Sequence, residues 1–345
     1  MKTFFLYQNL YQRHLQTEKE MMKMIIILTN KADVTSDFVV RELRNQRLEY
    51  YRLNTEDIPQ KIDVIFSIED DKFVLVDKIK NIQIDLSQIS AVYFRRAQVA
   101  GLKYLDEISE QEREYLRGEL AYLLEGIYKI LENRCWLNNI YKIREAENKI
   151  YQLQMARELG FIIPTSLITN IPETVISMVN RYNKDCIIKP IKSGNVDIKT
   201  SSKIIFTSQI EKDFYEDKTR IADFPVYLQE NIHKRYDLRC IVIGKQVYCA
   251  QIESQEYEDS KIDWRRGKSF LKHIKHELPN AIKEKCIEMT KKLGLKYSAI
   301  DLILDNTGKY IFLECNPNGQ WAWLEIRLGF PISKEIVNLL SEGSR

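Results

Sequence analysis

Residues 297–316 read YSAIDLILDNTGKYIFLECN. Two apolar runs flank the polar turn Asp305-Asn306-Thr307-Gly308, and this pattern predicts a β-hairpin. Each run carries one acid among apolar neighbours, Asp301 in the first run and Glu314 in the second. A carboxylate in a buried strand is unfavourable unless it is paired. The two acids are therefore candidate functional groups.

Asn316 lies two residues after Glu314, so that on a strand both side chains point to the same face. The hairpin thus offers two carboxylates, Asp301 and Glu314, and one amide oxygen that can converge. Such oxygen ligands suit Mg²⁺, which proteins hold with one or two carboxylates together with nucleotide phosphates. The alternative is that the acids pair with Lys or Arg and only stabilise the sheet. For the three residues together we favour the metal.

Length and composition limit the function classes. A chain of 345 residues with 44% hydrophobic residues predicts two or three domains with sizeable cores. A net charge of +3 gives no electrostatic case for binding nucleic acid or a membrane. No apolar stretch is long enough for a transmembrane helix. The six cysteines form no C-x-x-C pair, which is typical of reduced thiols in a cytoplasmic protein.

From residue 24 to about residue 136, strand and helix patterns alternate, which is typical of an α/β domain. Strands are expected at 24–29, 49–53, 63–68, 72–77 and 91–95, and helices at 35–47 and after the capping box of Ser109 and Glu112. Arg95 and Arg96 end the last of these strands, where open α/β sheets contact ligands. They either form a surface ion pair or bind an anion.

The remainder of the chain continues the alternation. A helix is expected at 145–159 with Ile150, Leu153 and Leu159 facing inward. Lys189 ends an apolar strand before a glycine-containing loop, which favours a contact with phosphate. The loop near 191–202 is either a lid or an ordinary mobile connection.

Two kinds of site are disfavoured. His273 and His276 have helical spacing, but their polar neighbours indicate a solvated face rather than a zinc site. The chain has no G-x-G-x-x-G, and the only Gly-Lys-Ser lacks the P-loop glycine, since Ile262 occupies that position. A Rossmann dinucleotide site and a Walker loop are therefore not supported.

A family resemblance accounts for the separated lysines and acids. The residues that carry it are, in order, Lys149, Lys189-Pro190, Gln229-Glu230, Asp237-Leu238-Arg239, Asp301 and Glu314-Cys315-Asn316. This order resembles the ATP-grasp superfamily over about 140–330. Three further segments are most similar to the microviridin-type peptide ligases, or graspetide synthetases: Phe94-Arg95-Arg96, Asp263-Trp264-Arg265 and Asn316-Pro317-Asn318-Gly319-Gln320-Trp321.

The resemblance implies an α/β (α+β) chain with an ATP-grasp fold and an N-terminal pre-ATP-grasp domain. The expected boundaries are an N-terminal extension at 1–22, the pre-ATP-grasp domain at 23–138, a central subdomain at 139–200 and a C-terminal subdomain with the magnesium site at 201–345.

The resemblance also implies ATP and Mg²⁺ and a role for each site residue. Lys149 and Lys189 would hold the phosphates of ATP. Gln229, Glu230 and Ile232 would lie at the adenine, and Asp237 at the ribose. Asp301, Glu314 and Asn316 would hold Mg²⁺. Arg239 and Arg265 would steady the γ-phosphate and an acyl phosphate.

The implied activity is ATP-dependent cyclisation of a ribosomally made precursor peptide. Asp or Glu side chains would be activated as acyl phosphates and attacked by Thr or Ser hydroxyls or a Lys amine, giving ester or amide crosslinks. The partner would be a precursor with a leader and an acidic core, and we expect the leader to pair with the strand edge of the 236–253 hairpin. No nucleic acid or membrane partner is expected, a homodimer is allowed, and the location would be cytoplasmic.

Two alternatives remain open. A RimK-like ATP-grasp ligase that adds amino acids to a protein or small molecule would share the same ATP site. A nucleotide-binding regulator without turnover belongs to a different class of protein, and an acceptor-dependent consumption of ATP would exclude it.

Overall fold

The computed structural model describes residues 24–192, 195–198, 201–267 and 271–343. They form two compact units, the first containing 24–140 and 332–343 and the second the described part of 141–331. The predicted extension at 1–22 lies outside the described residues. The predicted domain boundaries stay a prediction.

The strands and helices alternate along the chain. The strands are β1 (Met24–Thr29), β2 (Tyr50–Asn54), β3 (Ile62–Ser67), β4 (Lys72–Asp77), β5 (Ile82–Asp85), β6 (Ile89–Phe94), β7 (Cys135–Trp136), β8 (Ser166–Thr169), β9 (Cys186–Lys189), β10 (Asn195–Ile198), β11 (Ser201–Ile204), β12 (Ser208–Gln209), β13 (Val226–Glu230), β14 (Lys234–Ile243), β15 (Gln246–Ile252), β16 (His273–Lys275), β17 (Tyr297–Asp305) and β18 (Tyr310–Asn316).

The helices are α1 (Val34–Asn45), α2 (Glu110–Ile130), α3 (Ile140–Ala146), α4 (Lys149–Glu158), α5 (Pro172–Arg181), α6 (Lys212–Glu216), α7 (Lys218–Asp223), α8 (Asn280–Lys292), α9 (Ala322–Leu328) and α10 (Ile332–Glu342). Among the helices of the described residues, none combines the length and the hydrophobicity needed to cross a bilayer.

The first unit is built on a four-stranded parallel sheet in the order β2-β1-β6-β7. Its central strand β1 is a continuous apolar run, as expected where helices cover a parallel sheet, and residues 25–28 of β1 are at most 2% exposed. The capping box that begins α2 is confirmed, since Ser109 and Glu112 each accept a hydrogen bond from the other's backbone N–H.

A second, antiparallel sheet of the first unit has the order β3-β4-β5. The predicted hairpin of β3 and β4 is confirmed. The sequence analysis missed β5 because this short strand buries only Ile84, at 3% exposure, and its other side chains are more exposed. A period-two pattern with one apolar member is too short to recognise.

Arg95 contradicts the prediction of a surface ion pair. Its side chain is 1% exposed, and its Nε lies 3.2 Å from Oδ1 of the equally buried Asp33. The pair is therefore a buried one at the end of β6.

Apart from a two-stranded hairpin, the described residues of the second unit form two antiparallel sheets. Their orders are β12-β9-β13-β8 and β16-β15-β14-β17-β18, and β10 pairs with β11 as a separate hairpin. The predicted hairpin of β17 and β18 is confirmed, with Gly308 at φ +86° in its turn. That positive φ is the conformation for which glycine is favoured.

The two faces of the five-stranded sheet differ. Cys240, Ile300 and Cys315 lie on one face and are buried in a core that includes residues of α4 and α8. Because side chains alternate along strands, the neighbouring residues Arg239, Asp301 and Glu314 lie on the other face. The sheet thus carries its charged residues on one side of its core.

The predicted helix at 145–159 is two helices, α3 and α4, and the expected inward orientation of Ile150 is wrong. The side chain of Asn148 accepts hydrogen bonds from the N–H groups of Ile150 and Tyr151 and so begins a new helix. Ile150 lies in the first turn of α4 and is 52% exposed.

The expectation that the two histidines lie on a solvated face is also wrong, since both are half-buried, and their spacing is not that of a helix because His273 lies on a strand. His273 begins β16 and packs its ring 4.8 Å from that of Trp323. His276 is half-buried, with Nδ1 3.1 Å from Gln251 Oε1 and Nε2 3.0 Å from Tyr310 Oη. The segment is extended rather than helical because it pairs with β15.

Two segments were predicted to contact or cover the substrate, the edge of the 236–253 hairpin and the loop near 191–202. The edge of the 236–253 hairpin is largely not free for a leader peptide, since β17 pairs with β14 and β16 pairs with residues 250–252 of β15. In the predicted lid, residues 193–194 and 199–200 lie outside the described residues, and the described backbone forms the hairpin of β10 and β11.

Candidate active site

Asp301 and Glu314 lie directly opposite each other on β17 and β18. Both oxygens of Asp301 accept hydrogen bonds from Nη1 of Arg239, at 2.9 Å each. Glu314 lies 3.6 Å from Nζ of Lys149 and 4.0 Å from Nη1 of Arg265. The two acids thus already pair with Lys and Arg side chains, as the alternative interpretation of this hairpin predicts.

The two carboxylates differ electrostatically. Burial would raise the pKa of Glu314, but the charges of Lys149, Arg265, Lys189 and Arg239 hold this pKa below its ordinary value. Burial raises the pKa of Asp301, with Glu314 adding to the rise and Arg239 opposing it. Glu314 is thus the more strongly ionised acid.

The segment 316–321 folds back onto Arg239. A Cβ atom on Gly319 would lie 2.5 Å from Nη2 of Arg239 and closer still to Cβ of Ala299. The hydroxyl of Tyr297 donates to the carbonyl of Gly319 at 2.8 Å. Only glycine fits here, and Tyr297 holds the segment against the guanidinium.

Arg239 also has an unused donor. Its Nε is buried and has no hydrogen-bond partner among the described residues. A buried donor without a partner is unfavourable, and an arriving anionic oxygen would satisfy it. This atom supports a phosphate or carboxylate beside Arg239.

Asp263 holds Arg265 in place. Oδ1 of Asp263 accepts from Nε of Arg265 and Oδ2 accepts from Nη2, each at 2.8 Å. Burial would raise the pKa of Asp263, but the hydrogen bonds and charge of Arg265 lower it below its ordinary value. The side chain of Arg265 nevertheless remains 51% exposed, so its guanidinium can also contact a ligand.

The two predicted phosphate lysines lie near the same acids. Lys149 is the first residue of α4, and its Nζ donates to the carbonyl of Pro190 at 3.1 Å. Lys189 Nζ donates to Oε1 of Gln229 at 2.8 Å. Burial lowers the pKa of Lys189 to about 8, with the nearby Glu314 opposing the shift. A lysine whose charged form is destabilised by burial is stabilised when a phosphate binds beside it.

The predicted adenine segment comprises the last two residues of β13 and Ile232 just after it. Gln229 is fully buried and donates to Ser166 and Tyr227, so it orders the strand beside Lys189. Oε1 of Glu230 accepts from the backbone N–H of Thr165 at 3.0 Å. Ile232 follows the strand and is half-buried. The adenine contacts of Glu230 and Ile232 stay predictions.

Asp237 has a partner that sequence reasoning did not find. Nζ of Lys234 lies 2.9 Å from Oδ1 and 2.8 Å from Oδ2 of Asp237, and both side chains are buried. Lys234 also donates to the carbonyl of Ile262 at 3.1 Å, directly before Asp263. The pair thus supports the loop that carries Arg265, and the ribose contact of Asp237 stays a prediction.

Asn316 lies at the end of β18, exposed, with Oδ1 accepting from the N–H of Asn318 at 3.0 Å. The described residues contain no group of three or more His, Cys, Asp or Glu that could hold a metal. The candidate set has two carboxylates and one amide, which suits Mg²⁺ completed by nucleotide phosphates. Its role as a metal site stays a prediction.

Gln152 is a positioning residue that the sequence analysis missed. From α4 its Nε2 donates to the carbonyls of Ala146 and Cys315, at 2.6 Å each, and its Oε1 accepts from the N–H of Cys315 at 2.9 Å. Cys315 stands between Glu314 and Asn316, so Gln152 fixes the backbone of both. A buried glutamine among apolar helix positions was the only available signal.

Comparisons with known proteins give two family-model matches. The model of the MvdD pre-ATP-grasp domain matches residues 24–144, and that of the RimK-like ATP-grasp domain matches residues 146–340. None of the curated proteins compared with the chain matches it.

Solved structures similar to this one include two macrocyclases and an ATP-grasp ligase. The macrocyclase MdnC of Microcystis aeruginosa MRC, bound with precursor peptide MdnA, has 29% identity and a TM-score of 0.81, covering 93% of this chain and 99% of its own. A RiPP-associated ATP-grasp ligase of Chryseobacterium gregarium, in complex with ADP and a leader and core peptide, has 28% identity and a TM-score of 0.83, covering 93% and 97%.

The macrocyclase MdnB of Microcystis aeruginosa MRC has 28% identity and a TM-score of 0.75, covering 92% of this chain and 99% of its own. The RimK-like match spans more than half of the chain and contains every predicted site residue. The chain therefore belongs to the family of proteins with a RimK-like ATP-grasp domain, here preceded by an N-terminal pre-ATP-grasp domain of the MvdD kind.

Proposed function

We propose that the chain is an ATP-dependent peptide ligase that links Asp or Glu side chains of a precursor peptide to Thr, Ser or Lys of the same peptide. The observation that carries the proposal is the concentration of positive charge at one carboxylate, Glu314, which lies 3.6 Å from Lys149 and 4.0 Å from Arg265 and also feels the charges of Lys189 and Arg239. This excess of positive charge suits a polyphosphate and a transferring phosphoryl group.

The residues fit ATP and Mg²⁺. Lys149 and Lys189 bind phosphate oxygens, and the unused Nε of Arg239 supplies a further donor. Asp301, Glu314 and Asn316 would hold Mg²⁺, which supplies charge neutralisation for phosphoryl transfer when bound. Because Arg239 already contacts both oxygens of Asp301, it must share or release them as the metal site forms.

The chemistry requires activation because a carboxylate does not acylate a hydroxyl or an amine unaided. An oxygen of the peptide carboxylate attacks the γ-phosphorus of ATP, ADP leaves, and an acyl phosphate forms. The hydroxyl or amine then attacks the acyl carbon, phosphate leaves with the bonding electrons, and the peptide has lost one water.

Arg239 and Arg265 neutralise charge on the phosphoryl oxygens during both steps. Neither step needs a protein nucleophile. Cys315, the cysteine beside Glu314, is buried, and this burial raises the pKa of its thiol to about 12. It therefore stays protonated and takes no part in the reaction.

The similar structures support a peptide as the substrate. MdnC was solved with its precursor peptide, and the Chryseobacterium ligase with ADP and a leader and core peptide. The six cysteines of this chain are free thiols, which supports the proposed location in the reducing cytoplasm.

Intact-mass spectrometry tests the proposal. The enzyme, ATP and Mg²⁺ are incubated with an acidic, Thr/Ser/Lys-containing peptide encoded beside its gene. We expect the loss of one water per bond formed with the wild type and no change with Asp301→Ala. A gain equal to an added amino acid would favour the RimK-like alternative, and an unchanged peptide with nucleotide bound would favour a regulator.

A further inference from the structure

The parallel sheet of the first unit has a topological switch point that the proposed function does not use. The strand order β2-β1-β6-β7 places β2 on one side of β1 and β6 on the other. In open α/β sheets, the carboxyl ends of the two strands at such a point form a crevice that binds ligands. Here those ends are residues 29–30 and 94–96.

Polar side chains are buried at this crevice. Thr29, Asn30, Asp33, Thr55 and Arg95 are each at most 4% exposed. The carboxylate of Asp33 accepts hydrogen bonds from the hydroxyl of Thr29 and from Nε of Arg95. The charges of Asp33 and Arg95 therefore neutralise each other. Burying this many polar groups is unfavourable, and the pairing of the parallel strands does not require these side chains.

Arg96 has an unusual backbone here, with φ +53°. Two contacts hold the loop in place: Asn30 Nδ2 donates to the carbonyl of Arg96 at 2.5 Å, and Oγ1 of Thr55 accepts from the N–H of Gln98 at 2.8 Å. Conformations of this kind persist where the surroundings enforce them, and they concentrate at ligand sites.

Arg47 provides an internal comparison. It has φ +54°, but it directly follows the end of α1, and its N–H donates to the carbonyl of Arg44. A left-handed residue there is an ordinary way to end a helix. Arg96 follows a strand, so helix termination does not explain its conformation.

Arg96 is exposed as a residue while its guanidinium is partly covered, and the guanidinium makes no hydrogen bond or ion pair within the described part of the chain. Burial lowers the pKa of Arg96, and the neighbouring charge of Arg95 lowers it further. Asp33, the acid whose charge acts on Arg96, already pairs with Arg95. An arriving anion would therefore be attracted mainly by Arg96.

We propose that Arg96, on the loop held by Asn30 and Thr55, binds a side-chain carboxylate of the peptide substrate. A guanidinium binds a carboxylate through two parallel hydrogen bonds, which suits a single exposed arginine. The choice of ligand rests on the proposed function, because that function makes an acidic peptide the substrate. The site would hold an acid of the peptide outside the ATP-grasp domain.

Peptide binding to the full chain tests the site without ATP. The probe is a fluorescently labelled peptide of alternating Glu and Thr, and the variants are Arg96→Gln and its matched control Arg47→Gln. We expect Arg96→Gln to weaken binding about tenfold or more, as for a lost charged hydrogen-bond pair. Arg47→Gln should leave binding unchanged, and a peptide with Gln in place of Glu should bind no better to the wild type than to Arg96→Gln.

Equal affinity of the two variants would overturn the site, as would a loss confined to Arg265→Gln. If inorganic phosphate displaces the probe more strongly than acetate does, the site binds a phosphate rather than a carboxylate. Matching urea midpoints of Arg96→Gln and Arg47→Gln exclude misfolding as the cause. An Arg96-dependent affinity without ligation of any peptide would contradict the proposed function and leave this site standing.

Discussion

Gly319→Ala tests how tightly the segment 316–321 holds Arg239. The new Cβ would lie 2.5 Å from Nη2 of Arg239, whereas non-bonded atoms rest at about 3.5 Å. Either the guanidinium or the segment must therefore move by about 1 Å. The second obstacle is Ala299 on β17, a strand paired on both sides, so the segment or Arg239 moves rather than the sheet.

The displacement should affect turnover more than folding. A misplacement of about 1 Å in a reacting group lowers rates by roughly 100-fold, and overpacking costs about 1–3 kcal/mol of unfolding free energy. We expect peptide-dependent ATP turnover to fall by that factor while the protein remains folded. Kinetics of kcat/KM and urea unfolding measure the two quantities.

Gly126→Ala is the control, because a Cβ there meets no atom within 4 Å. It lies within α2 and should raise stability by about 0.5–1 kcal/mol without lowering turnover. Because Gly319→Ala acts through Arg239, its loss should be much smaller in an Arg239→Ala background. Wild-type turnover by Gly319→Ala, or fully additive losses, would refute the reasoning.

Three further changes follow from the site. Lys189→Met should weaken ATP binding about tenfold or more, because it removes a buried cation that holds phosphate; calorimetric titration measures this. Gln152→Leu should lower the unfolding free energy by about 2–4 kcal/mol, because it leaves both backbone groups of Cys315 without partners; urea unfolding measures this. Asp263→Asn should lower turnover while sparing ATP affinity, because it frees Arg265.

Controls and contrary outcomes are available for each change. Gln154→Leu alters the same residue type at an exposed position of α4 and should change stability little. Equal losses of unfolding free energy in Gln154→Leu and Gln152→Leu would contradict the role of Gln152 in holding Cys315. Unchanged ATP affinity in Lys189→Met would remove that lysine from the site. A parallel loss of ATP affinity in Asp263→Asn would mean that Arg265 binds nucleotide rather than the reacting group.

Lys189 also predicts a pH dependence. Its pKa falls from 10.5 to about 8 on folding because of burial, so the charged form opposes folding. This cost, at most about 3 kcal/mol for a partly accessible side chain, is fully present below pH 8 and fades towards the unfolded pKa. Lys189→Met should remove most of it at pH 7, and wild-type ATP affinity should fall as the pH rises above about 8. An affinity that is flat across this range would contradict the assignment.

Local patterns predicted part of the fold. The hairpin of β17 and β18 followed from two apolar runs and an Asn/Gly turn, and the start of α2 from its capping box. Both depend on contacts between residues close in sequence. The break before α4 was also local, since Asn148 is a typical N-cap, but the apolar pattern continued across it and hid the break.

The supporting contacts of the site could not be predicted in this way. Gln152 reaches Cys315 from a distant helix, and Lys234 reaches the carbonyl of Ile262 in another loop. Neither residue belongs to a sequence motif. The role of each depends only on which backbone group the fold brings near its side chain. The need for glycine at 319 likewise arises from Arg239 and Ala299, which belong to other strands.

Hydroxylamine trapping tests most directly the claim that this site activates a peptide carboxylate. The enzyme, ATP and Mg²⁺ are incubated with the acidic peptide in which every Thr, Ser and Lys is replaced by Ala, so that no acceptor can consume an acyl phosphate. The account predicts a peptide hydroxamate by mass spectrometry, dependent on ATP and absent with Asp301→Ala or Arg265→Gln. ATP turnover without any hydroxamate, or a hydroxamate that persists in both variants, would contradict it.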